Sequence, residues 1–338
     1  MRTAVVILFL GVVVGAYLFH VRGMGVQPAT RAPQTIERKG VARTYAWTQK
    51  AEMPTPRTEA TASVLHGKVY VIGAFDGFAK TIATVEVYDP ATDSWHSGPD
   101  LPEARHHAAA VTLAETLYVI GGFAGTGFEQ ADVFAMTAEK TWKRVAPLPE
   151  ARGALAAAVL DHKILAVGGI GPQGLADDLF VYEPPENAWT KKTPAPTRRD
   201  HLAAGALRGV FYVAGGREKS LSKNLALLEA YDPKADTWGT EPRLPTARGG
   251  VAGAVFDDLF VVVGGEQPGG TFSEVEAFDP ASNRWLSLPP LPTPRHGLAA
   301  VAIGNTLYVI GGGKRPGLSV SGTPIAGCRT KHASNLTS

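Results

Sequence analysis

Apolar residues along this chain come in short runs that never sustain a helical spacing. Six runs rich in β-branched and aromatic residues end on glycine: VYVIG (69–73), LYVIGG (117–122), ILAVGG (164–169), FYVAGG (211–216), LFVVVGG (259–265) and LYVIGG (307–312). Small residues form the run before five of them: AAAV (108–111), AAAV (156–159), AAGA (203–206), VAGA (251–254) and AAVA (299–302). A third run follows, clearest as VEVYDP (85–90), LFVYEP (179–184), LEAYDP (228–233) and VEAFDP (275–280). Runs this short, punctuated by Gly and Pro, predict β-strands joined by tight turns.

The strands belong to a repeat. All six tryptophans recur, at steps of 48, 47, 47, 49 and 47 residues from Trp47 to Trp285. Ten residues after each Trp stands an arginine: Arg57, Arg105, Arg152, Arg199, Arg248 and Arg295. Sixteen residues after each Arg stands a glycine, doubled in five units. A period of this size with four short strands per unit predicts a propeller. The small-residue strand suits the crowded innermost position. Each Trp supplies apolar area between adjacent sheets. The double glycine marks positive φ or a close approach, for which the Trp ring is the expected neighbour. Length varies only between that glycine and the third strand, in the loop on the same face as the Arg corner, so this face is the candidate binding surface.

With the double Gly, the Tyr/Phe-Asp-Pro turn and the spaced Trp, residues 47 to about 313 resemble kelch repeats. The resemblance implies an all-β, six-bladed kelch-type β-propeller with four-stranded blades. Trp47 has no inner strands before it, and the unit beginning at Arg295 has no Trp after it. An N-terminal strand at about 44–49 is therefore expected to close the ring; the rival is a C-terminal strand near His332. The last blade's third strand is sought within 318–327. The expected organisation is an N-terminal hydrophobic helix at 1–21 (signal anchor or signal peptide), a linker at 22–43, the propeller at 44–327 and a tail at 328–338.

Charge and composition narrow the partners. Net charge is +2 with both signs interspersed, and charged residues make up 19%, so nucleic acid is not an expected partner. The single cysteine, Cys328, excludes a disulfide framework and a multi-Cys metal site. The uncharged run from Ala4 to Phe19 predicts an uncleaved membrane anchor with the propeller exported, periplasmic or extracellular; secretion after cleavage is the alternative.

Candidate chemistry gathers at the variable mouth. The six arginines either bond carbonyls and carboxylates or form an anion site. Loop acids Glu129, Glu218 and Glu266 either neutralise them or act in proton transfer. His106, His107, His201 and His296 follow Arg105, Arg199 and Arg295 at mixed offsets of one and two. A three-His metal site is conceivable, but the mixed offsets turn the rings in different directions. No metal or cofactor is expected. The leading expectation is a non-catalytic module presenting an Arg-rich mouth to a protein partner or an acidic carbohydrate. The alternative is an enzyme similar to exported kelch sugar epimerases of the sialic-acid mutarotase type, opening an acidic sugar ring by acid/base chemistry. Kelch copper-radical oxidases are disfavoured, because their Tyr–Cys cofactor needs a propeller cysteine and Cys328 is expected outside the regular blades.

Overall fold

The computed structural model describes residues 32–320 and 326–332, apart from 39, 126, 138 and 139. Within them lie six antiparallel sheets of four or five strands, the blades of an all-β propeller, and four two-stranded ones. Blade 1 runs Thr61–Leu65, Lys68–Ile72, Val85–Asp89 and Ser94–Ser97, each strand paired with the next. Blades 2 to 5 repeat this order from Ala109–Leu113, Ala156–Leu160, Ala203–Leu207 and Ala252–Phe256. Blade 6 draws on both chain ends. Ala299–Ile303 and Thr306–Ile310 pair with Ala326–His332, which pairs in turn with Val41–Gln49. A fifth strand, Gln34–Arg38, forms a hairpin on Val41–Gln49.

Two boundaries move. The segment expected to be a linker, 22–43, contributes Gln34–Arg38 and the start of Val41–Gln49. Arg38 and Tyr45 there bond the Asp257 carboxylate of blade 5, at 3.2 and 2.6 Å. The expected tail begins inside a strand. Cys328 faces Leu307 on one side and Trp47 on the other, and its buried thiol is pushed up to about 12 by burial. No Asp-Pro turn marks this strand, which is why the sequence pattern loses it. Cys328 therefore lies inside the blades, contrary to expectation, and its thiol is packed in the apolar core of blade 6 with Leu307 and Val309. The hydrophobic segment expected at 1–21 lies outside the described residues. Among the described residues no helix is long and apolar enough to cross a membrane.

Small residues line the axis as their size predicts. Ala62, Ala110, Ala157, Ala204, Gly253 and Ala300 border an axial channel of about 150 Å³. Between blades, each Trp indole donates to a carbonyl of a neighbouring blade, 43–45 residues away for five of them and across the ring closure, to Pro289 at 2.7 Å, for Trp47. Trp95 bonds Ala51 at 3.1 Å, Trp189 bonds Ala146 at 2.9 Å and Trp285 bonds Pro242 at 2.7 Å. The Trp ring is not what the double glycine accommodates. A Cβ on Gly121 (φ 59°) would lie 2.4 Å from the carbonyl oxygen of Arg152 in the next blade. That oxygen instead accepts the Gly122 amide at 2.8 Å, and the same bond recurs around the ring to Gly312 and Arg57 at 2.9 Å. Glycine is needed here for left-handed φ and for close backbone approach together.

Candidate functional site

The arginine corner builds three stacked rings of six positions. One residue past each Arg stand Thr58, His106, Gly153, Asp200, Gly249 and His296. Each of these pairs as a β-bridge with the residue that follows the glycine pair: Phe75, Phe123, Ile170, Arg217, Glu266 and Gly313. Two residues past each Arg stand Glu59, His107, Ala154, His201, Gly250 and Gly297, all with φ between 53° and 68°. Their backbones form a closed circle around the axis. His107 N donates to Glu59 O, Ala154 N to His107 O and His201 N to Ala154 O, at 3.1, 2.9 and 3.0 Å. Gly250 N then donates to His201 O, Gly297 N to Gly250 O and Glu59 N to Gly297 O, at 3.1, 3.1 and 2.7 Å.

The arginines do not ring the mouth. All six are buried beneath it. Arg57, Arg199 and Arg248 pair with Glu86, Glu229 and Glu276 on the third strand of their own blades. Arg105 and Arg152 pair with Asp132 and Asp178 and lie over the Phe134 and Phe180 rings. Among the described residues Arg295 meets no carboxylate. It donates to Thr293 O and Gly311 O, and burial alone lowers its pKa to about 10. The matching third-strand position opposite Val309 holds Ala326 instead of Glu. The expected Arg-rich ligand site is thus a set of structural anchors. Ring geometry explains the difference: the chain turns inward at each Arg, and only the next two residues reach the opening.

Above the channel the rings enclose a cavity of about 340 Å³ lined by Glu59, Phe75, His107, His201, Arg217 and Glu266, with His106, Phe123 and Leu318. Arg217 reaches across it, donating to Glu266 Oε1 at 2.6 Å and to Asp200 Oδ1 at 3.3 Å. Burial opposes ionisation of Asp200, but His201, Arg217 and the Lys219 amide outweigh it and hold the carboxyl below its usual range. His107 Nε2 stands 3.2 Å from Glu59 Oε2. Burial, reinforced by His201 and His106, pushes the His107 pKa well below 6.5. His106 lies between Phe75 and Phe123, with ring centroids at 3.9 and 5.4 Å, and burial lowers its pKa to about 4. His296 faces the carbonyls of Gly313 and Gly317 at 3.2 and 2.8 Å.

Of the residues singled out from sequence, the four histidines and Glu266 meet around this cavity. Glu129 and Glu218 do not. Glu129 lies opposite Phe123 in a surface hairpin, and Glu218 is exposed within 3.9 Å of Lys223. Glu59, Asp200 and Arg217 escaped notice. Their signal was alignment on the arginines, since Glu59 shares a column with His107 and His201. The mixed histidine offsets turn out to be two separate rings, and the two histidines of equal offset pack with centroids 4.8 Å apart.

The blades and their repeated corners define a kelch propeller. A model of the KLHDC2/KLHL20/DRC7 Kelch-repeats domain matches residues 84–240 and 147–312, and a Kelch motif model matches 56–102. The chain belongs to the kelch-repeat family. It is 47% identical to an F-box/kelch-repeat protein of Arabidopsis thaliana over 54 residues, 15% of this chain and 16% of that protein. The solved structure of YjhT superposes with a TM-score of 0.69 at 15% identity, over 84% of this chain and 99% of that one. That likeness is one of fold.

Proposed function

We propose that this propeller is a binding module that receives a protein partner on the face around the cavity. One observation carries the reading. Three of the four exposed large hydrophobics among the described residues, Phe78 (94% exposed), Phe128 (73%) and Leu318 (69%), sit on the variable loops of that face. Exposed apolar residues gathered around a polar pocket mark an interaction surface. Kelch propellers generally bind proteins, which fits the same reading. Cross-linking from positions 78 and 128 in host cells is the test. The expected outcome is a discrete adduct that the Phe78→Asp/Phe128→Asp variant loses; indistinguishable adducts from both proteins would overturn the proposal.

A second reading is an epimerase acting on an acidic sugar, favoured by the Glu59–His107 contact and the part-buried Arg217 in a cavity of ligand size. Against it, Arg217 is already held by Glu266 and Asp200. Sialic and uronic acids are expected to raise the melting temperature of the wild type, and not of Arg217→Ala, if this reading holds. The apolar run from Ala4 to Phe19 supports placing the propeller outside the membrane on an anchor. Carbonate extraction of the full chain tests that placement.

A further inference from the structure

The cavity floor carries chemistry that a partner surface does not require. In the circle of left-handed residues, blades 1, 2 and 4 supply Glu59, His107 and His201, and their ligand-type atoms lie within 4.8 Å of one another. Glu59 Oε2 and His107 Nε2 are 3.2 Å apart. Two ligands on one tetrahedral zinc, with bonds of about 2.0–2.2 Å, are separated by roughly 3.4 Å. Glu59 and His107 therefore already stand near coordination spacing.

The surroundings orient both imidazoles. His201 is engaged through Nδ1 by Asp200 Oδ1, and Arg217 in turn holds that carboxylate. His107 is engaged through Nδ1 by His106 Nδ1. Holding one ring nitrogen by a second group, so that the other is presented, is the arrangement metal-binding histidines use. The remaining members of the circle, Ala154, Gly250 and Gly297, offer no side-chain donor atoms, so a tetrahedral ion held by these three ligands keeps its fourth position open to the cavity.

Charge points the same way. Glu59 and Glu266 line the cavity beside the single guanidinium of Arg217. Its carboxylates outnumber its guanidinium, which favours a cation there. A second grouping, Glu59, Glu266 and His296, also lies within ligand range. Its members are committed elsewhere: His296 to two carbonyls, and Glu266 to Arg217 and the Gly317 amide at 2.8 Å. The first set is the one with nitrogen atoms to offer.

We propose that Glu59, His107 and His201 bind one first-row divalent cation, of the zinc type, with its open positions facing the mouth cavity. Two neutral nitrogens and one carboxylate suit such an ion better than magnesium or calcium, which take oxygen ligands.

The test uses the full chain, stripped with chelator and titrated with Zn²⁺ or Co²⁺ alone. One equivalent is expected to bind, with Co²⁺ giving the visible absorption of a low-coordinate site. Glu59→Gln and His107→Gln are each expected to weaken binding at least tenfold, whereas His162→Gln, at an exposed loop site, leaves it unchanged. Should the site variants fold poorly, the wild type decides alone, because Zn²⁺ must raise its melting temperature. Absence of binding, or binding retained at wild-type strength by folded Glu59→Gln and His107→Gln, overturns the proposal. The Phe78→Asp/Phe128→Asp variant keeps its metal whatever the fate of the partner reading, so the two can fail separately.

Discussion

Blades 3 and 4 present the same backbone to the mouth and opposite chemistry. In blade 3 Gly153 and Ile170 exchange amide–carbonyl bonds of 2.9 and 2.8 Å; in blade 4 Asp200 and Arg217 do so at 3.0 and 2.9 Å. Ala154 and His201 adopt one left-handed conformation, φ 54° in both. Beneath them Arg152 and Arg199 take the same place in the repeat. Yet blade 3 offers the cavity no titratable group at these positions, and blade 4 offers a carboxylate, an imidazole and a guanidinium. Closure of the circle rests on backbone, so each corner is free to carry whatever side chain the site needs. A symmetric scaffold thus supports an asymmetric site.

The largest break in this comparison should come from the arginines. Arg199→Ala strands Glu229, whose side chain is 4% exposed, and should cost about 3–5 kcal/mol in chemical denaturation. Arg152→Ala strands the more accessible Glu150 and Asp178, the latter also paired with Lys191, and should cost about 1–2 kcal/mol. Equal losses would show that the two anchors are energetically the same.

A smaller difference lies in acid. The Asp200 carboxyl titrates lower when folded than when unfolded, so the stability it contributes is full above the unfolded value, about 3.9, and is lost as pH falls through the folded one. Asp200→Asn should flatten the acid limb of a stability profile below about pH 4. Gly153→Asn, at the matching position of blade 3, tests a different property: a Cβ there would lie 2.3 Å from the Phe123 ring, so this variant should lose stability at every pH.

The smallest effect sharpens the likeness. Ala154→His places the blade 4 side chain on a backbone that already has its conformation, so the stability change should stay within about 1 kcal/mol. Thermal unfolding checks it. A larger loss would show that the corners differ in more than their side chains.

The strands were legible because each blade repeats short apolar runs closed by Gly or by a Pro-containing turn, and the arginines because their spacing never slips. Depth was not legible. Spacing shows that Arg57 and Arg105 occupy equivalent places, but not that equivalent places lie below the opening rather than around it. Glu59 and Arg217 were missed because each is ordinary in its own stretch of sequence and becomes unusual only when the six corners are laid over one another. Ala326–His332 was lost for a different reason. With Ala326 where blades 1, 4 and 5 carry Glu, and no Asp-Pro to end the strand, nothing local marks it as a third strand.

The circle of six amide–carbonyl bonds also constrains how the protein comes into being. Its bond from Glu59 N to Gly297 O joins the first corner made to the last. On a chain synthesised from its N-terminus, the early blades can form while that contact, with its high cost in loop-closure entropy, must wait. Glu59 therefore meets His296 and Glu266 only once the whole ring has been delivered. A shortened or half-folded chain can be rich in native strands and still have no site, so binding at this mouth is a readout of completion.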